Sequence, residues 1–193
     1  KFLPDYPTNG KKITVEHLLT HTSGIKSYTG MKEWDGQVQR KDFTPLELVD
    51  YFKNQPMDFE PDAQWEYNNS GYILLGCIIE KVSGKSYGEY ISEQFFKPLG
   101  MKNSYYGDTK PLIKNRASGY SQGDVEGNYV NAEFLSMTQP YAAGSLLSTV
   151  EDLNIWTRAL HGGKVLKPES LKKATTPYIL PMVQTPTTVM AYK

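Results

Sequence analysis

The apolar positions of this chain fall into short periodic runs separated by polar stretches. The densest run, Tyr72–Val82, is apolar almost all round and predicts a helix in the middle of a core. Ser70 stands where its hydroxyl can cap that helix. Ser83-Gly84 ends it, with Gly84 placed to take the left-handed conformation. Upstream, Thr14 caps a short helix from Val15 to about Thr20, with Val15, Leu18 and Leu19 on its apolar face. Thr44-Pro45-Leu46-Glu47 combines a capping box with proline at the first helical position. Leu46, Val49 and Phe52 then face inward, and Pro56 marks the end. Ser86-Tyr87-Gly88-Glu89 is a second capping box, opening a helix through Ile91, Phe95 and Phe96 that stops at Pro98. Ser148-Thr149-Val150-Glu151 resembles a third, opening a helix with Val150, Leu153, Trp156 and Leu160 inside, closed by His161-Gly162-Gly163.

Between these runs the pattern fades. Residues 1–12 form a loop with turn signals at Pro4-Asp5 and Asn9-Gly10. Ser27–Asp42 is polar and reads as a loop. Tyr105–Ala142 is rich in Gly, Ser, Asn and Tyr, so loops and short strands are expected. Residues 119–123 and 128–130 are set to pair as a small hairpin. The fold class is therefore mainly α with a few short strands. From Pro177 onward three prolines leave a poor helical pattern.

Composition narrows the function classes. The 193 residues suffice for one domain with a sizeable core. Lys+Arg and Asp+Glu both total 21, so no basic bias points to nucleic acid and no charge block to a membrane surface. The apolar run around Ile73–Ile79 is far too short to span a bilayer. Cys77, the single cysteine, lies inside that run as a core residue and permits no internal disulfide.

The candidate chemistry sits just before the central helix. In Pro61-Asp62-Ala63-Gln64-Trp65-Glu66-Tyr67-Asn68-Asn69, Tyr67 and Asn69 are two apart, so an extended backbone turns a phenol and a carboxamide to one cleft. On the residues alone the plainer reading prevails: Tyr67 is an aromatic packed at a helix entrance and Asn69 a first-turn residue. His17 and His21, four apart, could share a helix face, but a metal site needs a third ligand, and Leu18 stands where the zinc-peptidase pattern has Glu. No metal and no cofactor are expected. Ser23-Gly24-Ile25-Lys26 matches Ser-x-x-Lys formally, yet Gly24 suits a helix terminator better than a helix interior. Ser170-Leu171-Lys172-Lys173 matches too, among polar neighbours that predict a solvated helix.

Tyr67-Asn68-Asn69 resembles the Tyr-x-Asn element of serine β-lactamase and penicillin-binding-protein-like hydrolases, in the class C β-lactamase, D-aminopeptidase and esterase branch. Ile13–Ile25 resembles that family's "LLTHTSG" segment, and Ala142–Leu153 its "AGG-x-x-ST-x-x-DL" segment. The segments occur in the family's order, and the resemblance runs from about Leu3 to about Pro177. It implies acyl transfer through a serine ester, with Tyr67 as proton shuttle and Asn69 binding the substrate, and Ser27–Asp42 rimming the cleft. The Ser-x-x-Lys and Lys/His-Thr/Ser-Gly motifs of the family lie outside the matched stretch. The expectation is thus residues 1–177 as a helical subdomain lacking most of the central sheet, with 178–193 leading to that sheet. The chain alone is expected to be inactive, and to self-associate through the face the sheet would cover. The substrate is a D-alanyl peptide, a β-lactam or a small ester, and the compartment the periplasm, cell envelope or exterior. The competing reading is a non-catalytic module that binds peptide or peptidoglycan fragments.

Overall fold

A computed structural model describes residues 2–107 and 110–181. The organising element is α3 (Asn69–Ser83), flanked by α1 (Val15–Leu19), α2 (Pro45–Phe52), α4 (Tyr87–Ile91) and α6 (Tyr141–Gly144). A π-helical turn (Ser92–Phe96) and a last turn α5 (Lys97–Leu99) continue α4, while α7 (Val150–His161) and α8 (Pro168–Thr175) follow α6. Strand β1 (Tyr105–Tyr106) pairs antiparallel with β4 (Leu146–Leu147), and β2 (Tyr120–Gln122) with β3 (Tyr129–Asn131). The latter is the small hairpin expected from sequence. Among the described residues the protein is thus mostly helical with short strands.

The core joins Leu18 of α1, Leu48 and Phe52 of α2, and Ile73, Leu74 and Cys77 of α3, with Ile25, Tyr28, Tyr87 and Tyr141 around them. Burial pushes the Cys77 thiol pKa up to about 12, which leaves it inert at neutral pH. The expected caps at Thr14, Thr44 and Ser86 form, each accepting an N–H from the third helical residue. Gly84 ends α3 with φ +70°.

Several expectations need correction. Asn68, not Ser70, caps α3, accepting the Gly71 N–H at 2.8 Å. Ser70 lies within the first turn, fully buried, and its hydroxyl accepts the Tyr28 N–H at 2.9 Å. Leu46 is 70% exposed, because the side of α2 that meets α3 is centred on Leu48 and Phe52. Leu19 is likewise exposed. The helix opened at Ser86 passes Pro98 and ends at Leu99, with Gly100 left-handed behind it. The π turn widens the helix just before Pro98, where an α-helix would bring a carbonyl against the ring. In α7 Val150 and Leu153 point outward, while Asp152 and Ala159 are buried. The Asp152 carboxylate accepts from the Asn103 N–H at 2.7 Å and the Ser104 hydroxyl at 2.8 Å, which turns that face of the helix inward. Its cap is Thr149 alone. The segment 178–193 falls outside the described residues beyond Pro181.

Gly76 sets the closest approach in the core. A Cβ there would overlap the Tyr141 ring at Cε1 and lie 2.5 Å from the Ala142 Cβ. Alanine in a helix interior ordinarily gains about 1 kcal/mol over glycine. Here the buried Tyr141 ring reverses the sign, and Gly76→Ala should destabilise by about 2 kcal/mol. A urea midpoint equal to or above that of the parent would show that α6 yields freely.

Candidate active site

Two loops are laid side by side in front of α3. The Asp58 N–H donates to the Gly24 carbonyl at 2.8 Å, Asp62 to Thr22 at 2.9 Å, and Glu66 to His21 at 3.1 Å. Helix α1 ends in a Schellman-type turn: His21 takes φ +60° and the Thr22 N–H returns to the His17 carbonyl at 2.9 Å. His21, and not Gly24, is therefore the left-handed residue behind the helix. Gly24 (φ +71°) serves the loop pairing instead, since a Cβ there would collide with the backbone of Phe59.

Asn68 locks the entry to α3 from both ends of its amide. Its Oδ1 caps the helix, and its Nδ2 donates to the Ile25 carbonyl. Its own N–H donates to His21 Nδ1 at 3.1 Å, so that nitrogen is unprotonated. Burial lowers the His21 pKa from the ordinary histidine value. Tyr67 lies against the His21 ring with centroids 4.7 Å apart, Tyr72 stacks at 5.0 Å, and Trp65 meets it edge-on at 6.2 Å.

Asp62 (φ +66°) is a second anchor. Its carboxylate pairs with His17 Nε2 at 2.9 Å and accepts from Thr22 Oγ1 at 3.2 Å and the Tyr178 hydroxyl at 2.8 Å. Burial raises its pKa, but the contacts with Tyr178, His17 and Thr22 outweigh burial and hold it below the usual carboxylate range. A depressed folded pKa contributes stability above the unfolded value, about 3.9, that is lost as pH falls through the folded value. Asp62→Asn, which tolerates the same backbone, should lower the urea midpoint at pH 7 and flatten its decline below about pH 4. An unchanged midpoint with an unchanged acid limb would remove Asp62 from this role.

The two site residues read from sequence are placed differently. Asn69 is the first residue of α3, donates from Nδ2 to Thr29 Oγ1 at 3.0 Å, and lines a cavity of about 310 Å³ with Tyr28, Trp34, Gln139 and Pro140. Tyr67, 58% exposed, is not among the residues lining that cavity. Helical backbone begins at Asn69, so the two-residue alternation of a strand does not carry through the pair. The cavity walls come from the two long polar stretches and are latched through backbone groups. Gln139 Nε2 donates to the carbonyls of Val38 (2.6 Å) and Lys41 (2.7 Å), the Ser136 N–H to that of Gln39 (2.9 Å), and the Tyr28 hydroxyl to that of Gln139 (2.9 Å). Sequence reasoning passed over Asn68, although asparagine before a helix is a favoured cap. It also missed Gln139, for which no local signal exists.

The remaining candidates are accounted for. Ser23 is buried in the loop after α1 and its hydroxyl accepts from the Ile25 N–H, while Lys26 pairs with Asp58 at 2.7 Å. Ser170 sits on the exposed α8, where Lys173 pairs with Glu16 at 2.9 Å. Among the described residues no group of three or more His, Cys, Asp or Glu is placed to hold a metal, and no helix is long and apolar enough to cross a membrane.

The fold, with its central helix entered through a polar cap, helices packed on both sides and short strand pairs at the edge, is serine β-lactamase-like. It is similar to a D-stereospecific amidohydrolase from Streptomyces sp., with a TM-score of 0.81 and 30% identity over 94% of this chain and 57% of that one. It is also similar to the octameric penicillin-binding protein homologue from Pyrococcus abyssi, at TM-score 0.72 and 36% identity, over 91% of this chain and 41% of that one. The chain belongs to the beta-lactamase family, whose profile matches residues 1–189. Penicillin-binding protein 4* of Bacillus subtilis (strain 168) is 32% identical over 191 residues, 92% of this chain and 41% of that protein. The chain thus spans about two fifths of the length of the curated Bacillus penicillin-binding proteins it matches.

Proposed function

We propose that these residues are the helical part of a serine acyl hydrolase that cleaves D-alanyl peptides, β-lactams or small esters through an acyl-enzyme. Asn69 binds the substrate's amide, and Tyr67 carries the proton between nucleophile and leaving group. The observation that carries this reading is the position of Asn69: it lines the 310 Å³ cavity, next to Asn68, which is held to the Ile25 carbonyl, and near Tyr67, which rests on the His21 ring. A carboxamide both donates and accepts, which suits an amide substrate. A free phenol has a pKa near 10, so Tyr67 needs a neighbouring ammonium to work as a base at neutral pH.

Neither Ser23 nor Ser170 is built as a nucleophile, so the acylated serine, its lysine and most of the central sheet come from outside these residues. The chain alone is then inactive. Intact mass after incubation with a penicillin and with a fluorophosphonate tests this, with circular dichroism confirming the fold. The expected result is no adduct on a folded, helical chain. A single stoichiometric adduct would place the nucleophile within residues 1–193 and overturn the reading. If a longer protein carrying this segment also stays unmodified, the peptide- or peptidoglycan-binding module becomes the better account.

Two further parts of the proposal follow from the same relatives. Val150 and Leu153, three apart on α7, and Leu146 of β4 are exposed apolar side chains that favour self-association. The Pyrococcus abyssi relative is octameric. A monomeric mass in light scattering at high concentration would exclude that for this chain. The penicillin-binding relatives favour a cell-envelope or secreted location.

A further inference from the structure

Tyr67 has little of its own to hold it. It is more than half exposed, and it lines no wall of the cavity. The ring nearest to it belongs to His21. His21 is fixed three times over: by the left-handed turn behind α1, by the Glu66 N–H on its carbonyl, and by the Asn68 N–H on its Nδ1. The residues on either side of Tyr67 are therefore both bonded to His21, and the side chain of Tyr67 rests on its imidazole.

We propose that neutral His21 is the positioning residue for Tyr67, and that protonation of His21 releases the phenol. The reason is the hydrogen-bond inventory. Nδ1 can accept the Asn68 N–H only while it carries a lone pair. A proton there sets two donors face to face, leaves the Asn68 N–H without its acceptor, and pushes apart the imidazole and the backbone next to Tyr67. The titratable groups against the ring are Tyr67 and Tyr72, and burial raises the Tyr72 pKa above the ordinary tyrosine value. Glu66 meets His21 through its backbone N–H, and His17, one turn earlier, is held by Asp62. Among the described residues no carboxylate hydrogen-bonds to the His21 ring to favour its cation. The inference rests on the reading of Tyr67 as a working residue, but its test does not depend on activity.

The test is an NMR titration of the folded chain between about pH 4 and 8, the range in which histidine changes charge. Resonances of the His21 ring, the Tyr67 ring and the Asn68 amide are followed together, with nuclear Overhauser contacts between the two rings. The expected result is one shared midpoint for all three, and loss of the His21–Tyr67 contacts below it. In His21→Asn, which accepts the left-handed backbone and does not titrate, the Tyr67 and Asn68 transitions should vanish. In His17→Gln they should persist. Contacts that survive protonation of His21 would overturn the proposal and leave His21 as packing only. So would Tyr67 resonances that follow His17, a result the parent and His17→Gln give even where His21→Asn fails to fold. Failure of the acyl-hydrolase reading would be seen separately, as absence of an adduct on a longer protein that keeps this coupling.

Discussion

Gly24→Ala should destabilise the protein by about 3–5 kcal/mol, the largest loss expected from a single methyl group here. Two costs add. The left-handed backbone at φ +71° is unfavourable for an L side chain by about 1–2 kcal/mol. The new Cβ would also collide with the Phe59 carbonyl, whose carbon lies 2.8 Å from it. Neither atom belongs to a flexible side chain, so the paired loops must separate and the Asp58–Gly24 hydrogen bond goes with them. Gly84→Ala separates the terms. Gly84 has nearly the same backbone, φ +70°, with nothing among the described residues within 4 Å of a Cβ. It should lose only the conformational part, about 1 kcal/mol. Urea unfolding of both variants reads the difference. Equal losses would mean that the contact between the loops carries no strain.

Tyr67→Phe should reduce acyl transfer by about 10²–10⁴-fold in an active hydrolase containing this segment, the range ordinary for loss of a positioned acid or base. The variant keeps the ring that rests on His21 and removes only the hydroxyl, so the fold and the melting transition should hardly change. Single-turnover acylation by a chromogenic ester or β-lactam gives the measurement. A rate within about threefold of the parent would assign the proton transfer to another group. The matching substitution Asn69→Ala should act on substrate affinity more than on the chemical step, because Asn69 lines the cavity and Tyr67 does not.

What could be read from the sequence was local. Thr14, Thr44 and Ser86 announce their helices because cap and third residue are three apart. Gly84 ends α3 because no side chain competes for that backbone. The hairpin of β2 and β3 needs only nearby residues. Tyr67 and Asn69 were singled out through the resemblance of their neighbourhood to known hydrolases, and their roles are the ones proposed above. What could not be read was set at long range. The apolar spacing of α7 favours Val150 and Leu153, yet a single carboxylate, Asp152, binds the turn near Asn103 and rotates the helix away from that reading. Leu46 and Leu48 are both leucines, and only the position of α3 decides which is buried. The cavity beside Asn69 joins residues about a hundred positions apart, with Gln139 bonded to Val38 and Lys41.

That last contact bears on how such a protein can change. Gln139, Ser136 and Tyr28 hold the cavity walls through main-chain carbonyls, which every amino acid presents alike. Gln39, which enters the clasp through its carbonyl, can therefore be exchanged for other residues without undoing it, whereas Trp34 packs on the Tyr28 ring and cannot. Selectivity can drift by substitution while the scaffold beneath it stays the same. Insertions or deletions between Val38 and Lys41 would move the carbonyls themselves and are the changes this design tolerates least.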